Sequence, residues 1–285
     1  MLQIFAAVGL TGYLSVQNGQ KAVNDLVSRL RNEVSGRIDQ RLDSYMTTPK
    51  KVVQVNSDLF DMGVLQSEDK NKLGQLFSKQ MKTFDIGYVL YGFESGDLIS
   101  SGYYYDDKPP IVGVINQAKN GNSHVYIWEL DSQGNRTKIL EDIGDYAFEQ
   151  EGWYEEAVKQ KKPVWSPVYN WEVEPFTLSI AASRPIYKDK SKKELIGVVA
   201  IEQQLTQISD FLSHLKVSPS GKTFILEKNG LLIGSSVKEK PFTLIDGKPR
   251  RLEATNSTDP LIQATVKHLI ERFGNLEKIN QVEQL

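Results

Sequence analysis

The segment YAFEQEGWYEEAVKQKKPVWSPVYNWE, residues 146–172, concentrates aromatic and acidic side chains in one short stretch. Its share of the tryptophans is large: Trp153, Trp165 and Trp171 are three of the 4 in the chain, although aromatic residues make up only 9% of the composition. Two interpretations are open. The rings either line a binding site beside the carboxylates or fill the core of a domain, because aromatic side chains also dominate protein cores.

The composition of the 285-residue chain is that of an ordinary globular protein, with 40% hydrophobic and 25% charged residues. A formal net charge of -2, with Lys and Arg interleaved with acids, offers no basic face to nucleic acid. Since Cys is 0, disulfides, thiolate nucleophiles and Cys-ligated metals are excluded. We therefore expect one large domain or two modest ones and no nucleic-acid partner.

Catalytic motifs are weak in this sequence. His124, His214 and His268 have no metal-type spacing, and neither a G-x-S-x-G nor an H-E-x-x-H pattern occurs. The sequence thus predicts no catalytic residues, no metal site and no cofactor.

The N-terminal residues carry no charge before Lys21. The uncharged run is shorter than the roughly 20 apolar residues of a full membrane span, and no basic region of a signal peptide precedes it. We interpret residues 1–16 as part of a transmembrane helix that attaches the chain to a membrane; the alternative is a buried helix. Apolar residues then recur every three or four positions, which predicts a long signalling and dimerisation helix over residues 17–60, kinked or interrupted at Pro49.

Two strand-rich modules follow. Residues 61–216 show a hairpin around the turn 94–97, strands near 123–130, 136–140, 163–169, 176–187 and 195–203, and helices near 67–84, 149–161 and 205–215. Because strands and helices do not alternate regularly, the fold class is α+β with an antiparallel sheet. Residues 217–285 repeat the hairpin, with a turn at Asn229-Gly230, and add a helix near 259–273. No further strand is evident there, so the second module is expected either to be truncated and incomplete or to borrow a strand from elsewhere.

Tyr146, Trp153, Tyr154 and Ala157 match a pattern of Tyr, four residues, Arg, one residue, Trp-Tyr, two residues, Ala. This resembles the pocket motif of the double Cache (dCache) family, the extracytoplasmic sensor domains of bacterial membrane receptors. The resemblance extends from the N-terminus to about residue 240. It implies a long helix carrying two tandem PAS-like modules, a ligand in the membrane-distal one, a homodimer formed through the N-terminal helix, and a periplasmic or extracellular position at the bacterial inner membrane. A histidine kinase, a cyclase and a chemoreceptor output are all compatible with it.

One departure from the family pattern changes the expected ligand. Glu151 stands where the amino-acid-binding members place an Arg that grips the ligand carboxylate. By the resemblance, Tyr169 corresponds to a downstream pocket Tyr, and Glu202 to the Asp that holds the ligand ammonium. Two carboxylates beside aromatic rings favour a cationic amine over an α-amino acid bound in the usual way. The candidate binding residues are Tyr104, Tyr146, Glu151, Trp153, Tyr154, Tyr169 and Glu202.

Two other functions remain open at this point. A non-binding spacer or dimerisation ectodomain of the same fold would have its pocket filled by its own side chains. An anchored hydrolase would bring a nucleophile and a base together.

Overall fold

The computed structural model describes residues 2–66, 69–103, 110–116, 120–171, 176–189, 191, 193–215, 217–218 and 220–279, with only the backbone of residues 2–12. Of the predicted site residues, Tyr104 lies outside the described ones.

The first element is a single helix, α1 (Leu2–Asp61), 60 residues long. The predicted interruption at Pro49 is wrong, because Pro49 lies inside this continuous helix. Proline has no N–H to donate to the carbonyl four residues earlier, which here belongs to Tyr45. That carbonyl instead accepts a hydrogen bond from Nε2 of Gln203 at 3.5 Å. The sheet thus replaces the bond that the proline removes. Among the described residues, no helix combines the length and the apolar character that a membrane crossing needs.

The second helix, α2 (Lys70–Phe84), begins at Asp69, whose carboxylate accepts a hydrogen bond from the backbone N–H of Lys72 at 3.0 Å. It ends at Asp85, which adopts the left-handed conformation with φ 49. Leu73, Phe77 and Met81 are buried on one face of the helix. Their spacing of four residues explains why this short helix packs on the sheet.

In the described part of the chain, nine strands form one antiparallel sheet. They are β1 (Tyr88–Phe93), β2 (Leu98–Gly102), β3 (Ile111–Ile115), β4 (His124–Leu130), β5 (Arg136–Asp145), β6 (Val164–Trp165), β7 (Tyr169–Asn170), β8 (Leu178–Tyr187) and β9 (Leu195–Gln204). The order is β5-β4-β3-β2-β1-β9-β8-β6, with β7 also paired to β8. The predicted hairpin is β1–β2, whereas β3 was not predicted. The α+β class with a long N-terminal helix is confirmed.

The two faces of the sheet are covered differently. Val89, Tyr91 and Phe93 of β1 point towards α1 and α2 and belong to one hydrophobic cluster. Tyr88 and Leu90 point the other way, as strand alternation requires, and belong to a second cluster. That second face is covered by a 3-10 turn (Phe148–Gln150), by α3 (Gly152–Gln160) and by the β6–β7 segment.

The remaining chain forms a smaller unit. A helix, α4 (Thr206–His214), leads to the hairpin β10 (Phe224–Leu226) and β11 (Leu232–Ser235). A second hairpin, β12 (Phe242–Ile245) and β13 (Lys248–Arg251), and a helix, α5 (Pro260–Phe273), follow. The expectation of no further strand after β10–β11 is therefore wrong. Phe242 and Ile233 share a buried cluster with Tyr45 of α1 and Leu178 of β8, which fixes this unit against the larger module.

Candidate ligand-binding site

A cavity of about 720 Å³ opens on the face of the sheet opposite α1. Its floor is apolar and is formed by side chains of five strands, namely Leu90, Leu98, Ile111, Val125, Ile127 and Ile143. Residues 144–147 and 150–152, with β7, form its wall. The volume is in the range typical of small-molecule sites, and the apolar floor would receive the hydrocarbon part of a ligand.

Glu202 places a carboxylate in the wall of this cavity. It lies on β9 between Tyr88 of β1 and Ala181 of β8, and only 4% of its surface is exposed. Its Oε2 accepts a hydrogen bond from the Tyr169 hydroxyl at 2.5 Å, and its Oε1 accepts one from Nε1 of Trp171 at 2.6 Å. These donors fix the carboxyl group, and each oxygen retains a lone pair for a further donor.

Burial raises the pKa of Glu202 above its ordinary value, and the hydrogen bonds from Tyr169 and Trp171 act in the opposite direction. An incoming cation would favour the ionised form further. A buried carboxylate interacts strongly with a nearby positive charge, because the local dielectric is low.

Tyr146, Glu151 and Tyr169 gather beside Glu202 around the cavity. Burial raises the pKa of both phenols well above the ordinary value, and the charges of Glu151 and Glu202 raise them further. Both tyrosines therefore remain neutral hydroxyl groups. Glu151 holds the N-cap position of α3 with an extended backbone, and its carbonyl accepts the N–H of Tyr154 at 3.0 Å.

Trp171 and Asn170 also line the cavity and were not predicted as site residues. Trp171 packs edge-on against Tyr88 with ring centroids 5.2 Å apart, so both rings belong to the wall. Oδ1 of Asn170 is buried and has no hydrogen-bond partner among the described residues. Since buried polar atoms are usually paired, this oxygen is available to a ligand donor.

Trp153 and Tyr154 lie beneath the cavity instead of in its lining. Trp153 is fully buried, stacks on Phe148 with centroids 5.9 Å apart and meets Tyr154 edge-on at 5.6 Å. Gly92 of β1 permits this approach, because a Cβ there would lie 2.9 Å from Cη2 of Trp153 and 2.5 Å from Cε2 of Phe148. The motif residues thus divide: Tyr146, Glu151, Tyr169 and Glu202 meet at the cavity, while Trp153 and Tyr154 form the core that seats it.

Nδ1 of His214 lies 2.7 Å from the carbonyl of Asp210 and donates to it, and the Ser213 hydroxyl, 3.3 Å from the same nitrogen, also donates to that carbonyl, so this serine is not activated by the imidazole. Nδ1 of His124 pairs with Asp142 at 2.9 Å, whereas the Ser123 hydroxyl donates to Asp145 at 2.6 Å and not to the histidine. Among the residues described, no cluster of three His, Asp or Glu is placed to hold a metal ion.

Residues 93–210 match the family model described as "Methyl-accepting chemotaxis protein-like, first PDC sensor domain". This part of the chain is therefore similar to sensor domains of the PDC, or Cache, type. The match covers most of the sheet, α3 and the first part of α4, and it includes the motif residues. It confirms the resemblance to Cache-type receptor sensor domains for residues 93–210, which are under half of the chain.

The chain is also similar to solved chemoreceptor structures. The ligand-binding domain of Campylobacter jejuni chemoreceptor Tlp3 in complex with 4-methylisoleucine has 16% identity, a TM-score of 0.49 and coverage of 74% of this chain and 71% of that one. A structure titled methyl-accepting chemotaxis protein X has 17% identity, a TM-score of 0.49 and coverage of 89% and 85%. The Pseudomonas aeruginosa PAO1 amino acid chemoreceptor PctC with GABA has 14% identity, a TM-score of 0.45 and coverage of 71% and 72%. Comparison with curated protein sequences gives no significant match.

Proposed function

We propose that this sensor domain binds a small organic amine in the cavity of its larger module. The observation that carries the proposal is the buried carboxylate of Glu202 in the wall of a cavity of about 720 Å³ that has apolar side chains on its strand floor. The ligand's ammonium group would bind Glu202, and its hydrocarbon part would lie on the strand floor.

The energetics favour a cation at this point. A hydrogen bond to a charged group contributes roughly 1.5–3 kcal/mol, and a cation over an aromatic face adds about 0.5–2 kcal/mol. The rings of Tyr88, Tyr146, Tyr169 and Trp171 supply such faces. Oδ1 of Asn170 offers a further acceptor at the same wall.

The cavity also weighs against a spacer ectodomain of the same fold. Such a domain would fill its own pocket, because leaving an apolar cavity open costs stability. Here Trp153 and Phe148 fill the space beneath the cavity, and the space beside Glu202 stays open.

We propose that the signal passes from β9 to α1. Glu202 faces the cavity, while the next residue, Gln203, points to the opposite face and donates to the carbonyl of Tyr45. The Tyr45 hydroxyl in turn donates to the carbonyl of Gln204 at 2.7 Å. A ligand that binds one arrangement of β9 more tightly would shift the population of α1 positions by its difference in affinity.

The position of the domain in a receptor is likewise proposed. We infer an extracytoplasmic domain, attached to the bacterial inner membrane through residues 1–16 and paired as a homodimer through residues 17–60. Val23, Leu26 and Leu30 support the pairing, because they lie at helical spacing on α1 and are 60%, 68% and 41% exposed. An exposed apolar stripe of this kind is typical of a helix that packs on a second copy.

A thermal-shift screen of the 285-residue chain tests the ligand class. The panel contains isoamylamine, phenethylamine, putrescine, choline, acetate, succinate, adenine and the twenty standard amino acids. We expect an amine-bearing compound to stabilise the wild type by about 2.7 kcal/mol at a hundred times its dissociation constant. The Glu202→Gln variant, which retains the shape but not the charge, should lose that shift. Stabilisation by anions or adenine alone, or an undiminished shift in Glu202→Gln, would contradict the proposal.

A further inference from the structure

The cavity is completed by the second, smaller unit. Pro249 and Arg250, on the β12–β13 hairpin, line it together with the residues of the larger module. Strand β13 packs beside β7, which carries Tyr169 and Asn170 of the cavity wall. The ligand site therefore lies between the two units and is not enclosed by the sheet module alone.

Arg250 differs from its neighbour Arg251 in what it contacts. Arg251 is committed to the smaller unit, where it pairs with Glu227 and donates to the carbonyl of Leu232 at 3.4 Å. Adjacent strand residues point to opposite faces, so Arg250 projects away from that ion pair. Among the described residues, no carboxylate lies within ion-pair distance of Arg250, although Glu151 and Glu202 line the same cavity.

The hairpin that carries Arg250 is held in place by packing. Phe242 at its start is 6% exposed and shares a cluster with Leu178 of β8. The turn uses two positive-φ residues, Asp246 at 52° and Gly247 at 76°, which is the geometry of a tight hairpin turn. The packing of the hairpin fixes the backbone position from which the Arg250 side chain reaches the cavity.

We propose that Arg250 binds an anionic group of the ligand, a carboxylate, at the mouth of the cavity. The proposal rests on the proposed function, because it adds an anionic end to a ligand whose ammonium group is bound by Glu202. A guanidinium presents a planar pair of donors that matches a carboxylate bidentately. The anion-binding group would then come from the second unit, and the ligand would be a zwitterion that bridges the two units.

The test uses matched pairs of probes that differ only in the carboxylate. They are L-leucine with isoamylamine, L-phenylalanine with phenethylamine, and 5-aminovalerate with butylamine. Each is titrated calorimetrically into the 285-residue wild type and into Arg250→Ala, Arg250→Lys and Lys248→Ala. Lys248 is an exposed residue of the same strand outside the cavity lining and serves as the matched control.

We expect the carboxylate-bearing member of at least one pair to bind the wild type more tightly. Arg250→Ala should weaken its binding by about tenfold or more, Arg250→Lys by less, and neither should change the amine's affinity by more than about twofold. Lys248→Ala should leave both unchanged. Equal losses for both members of a pair, or no loss in Arg250→Ala, would overturn the role of Arg250 while leaving the amine site intact. Absence of binding by every probe would overturn the amine site as well.

Discussion

Truncation of Trp153 to alanine tests whether this side chain belongs to the hydrophobic core or to the wall of the cavity. The side chain is fully buried between Phe148, Tyr154 and Gly92, so its removal leaves a large void beneath α3. Trp-to-Ala changes in cores typically cost about 3–5 kcal/mol. With a urea m-value of about 2 kcal/mol per molar, a loss of about 4 kcal/mol lowers the unfolding midpoint by about 2 M.

Equilibrium urea unfolding of wild type and Trp153→Ala, followed by circular dichroism, measures this loss. Trp128→Ala is the control, because Trp128 is only partly buried and lies on the opposite side of the sheet. It should cost clearly less stability than Trp153→Ala. A loss below about 1 kcal/mol for Trp153→Ala would refute the placement of this ring in the core.

Three other changes test the surroundings of the cavity. Gly102→Ala would place a Cβ 2.2 Å from the Tyr88 ring, so the cavity wall should shift. Thermal unfolding should show a loss of about 1–3 kcal/mol in the free energy of unfolding. Unchanged stability would contradict this packing. The hydrogen bond to Asp142 raises the pKa of His124, so the stability that this pair contributes is fully present below the usual histidine pKa and is lost as the pH rises through the raised pKa. The free energy of unfolding of the wild type minus that of His124→Gln should therefore fall between pH 6 and 9. A difference that does not fall would refute this role of the pair. Glu151→Arg should move ligand preference from amines towards carboxylates in a titration with isoamylamine and acetate, and an unchanged preference would place residue 151 outside the binding site.

The elements that the sequence predicted are those with a strong local pattern. The helix α1 is visible in the sequence because apolar residues recur every three or four positions, and the hairpin β1–β2 because two strand-like runs flank a turn at residues 94–97. Strand β3 was missed, since IVGVI is short and uniformly apolar, without alternation. The hairpin β12–β13 was also missed although Asp246-Gly247 is a strong turn signal, because KPRR has neither β-branched nor aromatic residues.

Part of the site was predictable for a related reason. The spacing of the family's pocket motif identified Tyr146 and Glu151 as candidates, and the rest of the resemblance added Tyr169 and Glu202. All four line the cavity. The sequence does not distinguish a buried core ring such as Trp153 from a cavity-lining ring such as Trp171. Both are aromatic residues in the same short segment, and only the packing of the folded chain separates them. The place of Arg250 in the cavity lining depends on the packing of a hairpin that is distant in sequence against β7. No local sequence pattern predicts such a contact.

The indole N–H resonances in a ¹H–¹⁵N NMR spectrum test the central claim most directly. The chain has 4 tryptophans, so four signals are expected. Trp171 lines the cavity and donates to Glu202, whereas Trp128 lies on the other side of the sheet. Isoamylamine and L-leucine are added in turn, and each signal is assigned by a Trp-to-Phe variant. The account predicts that the Trp171 signal moves with saturation for at least one of these probes while the Trp128 signal stays in place. Movement of the Trp128 signal alone, or an unmoved Trp171 signal at saturating probe, would contradict it.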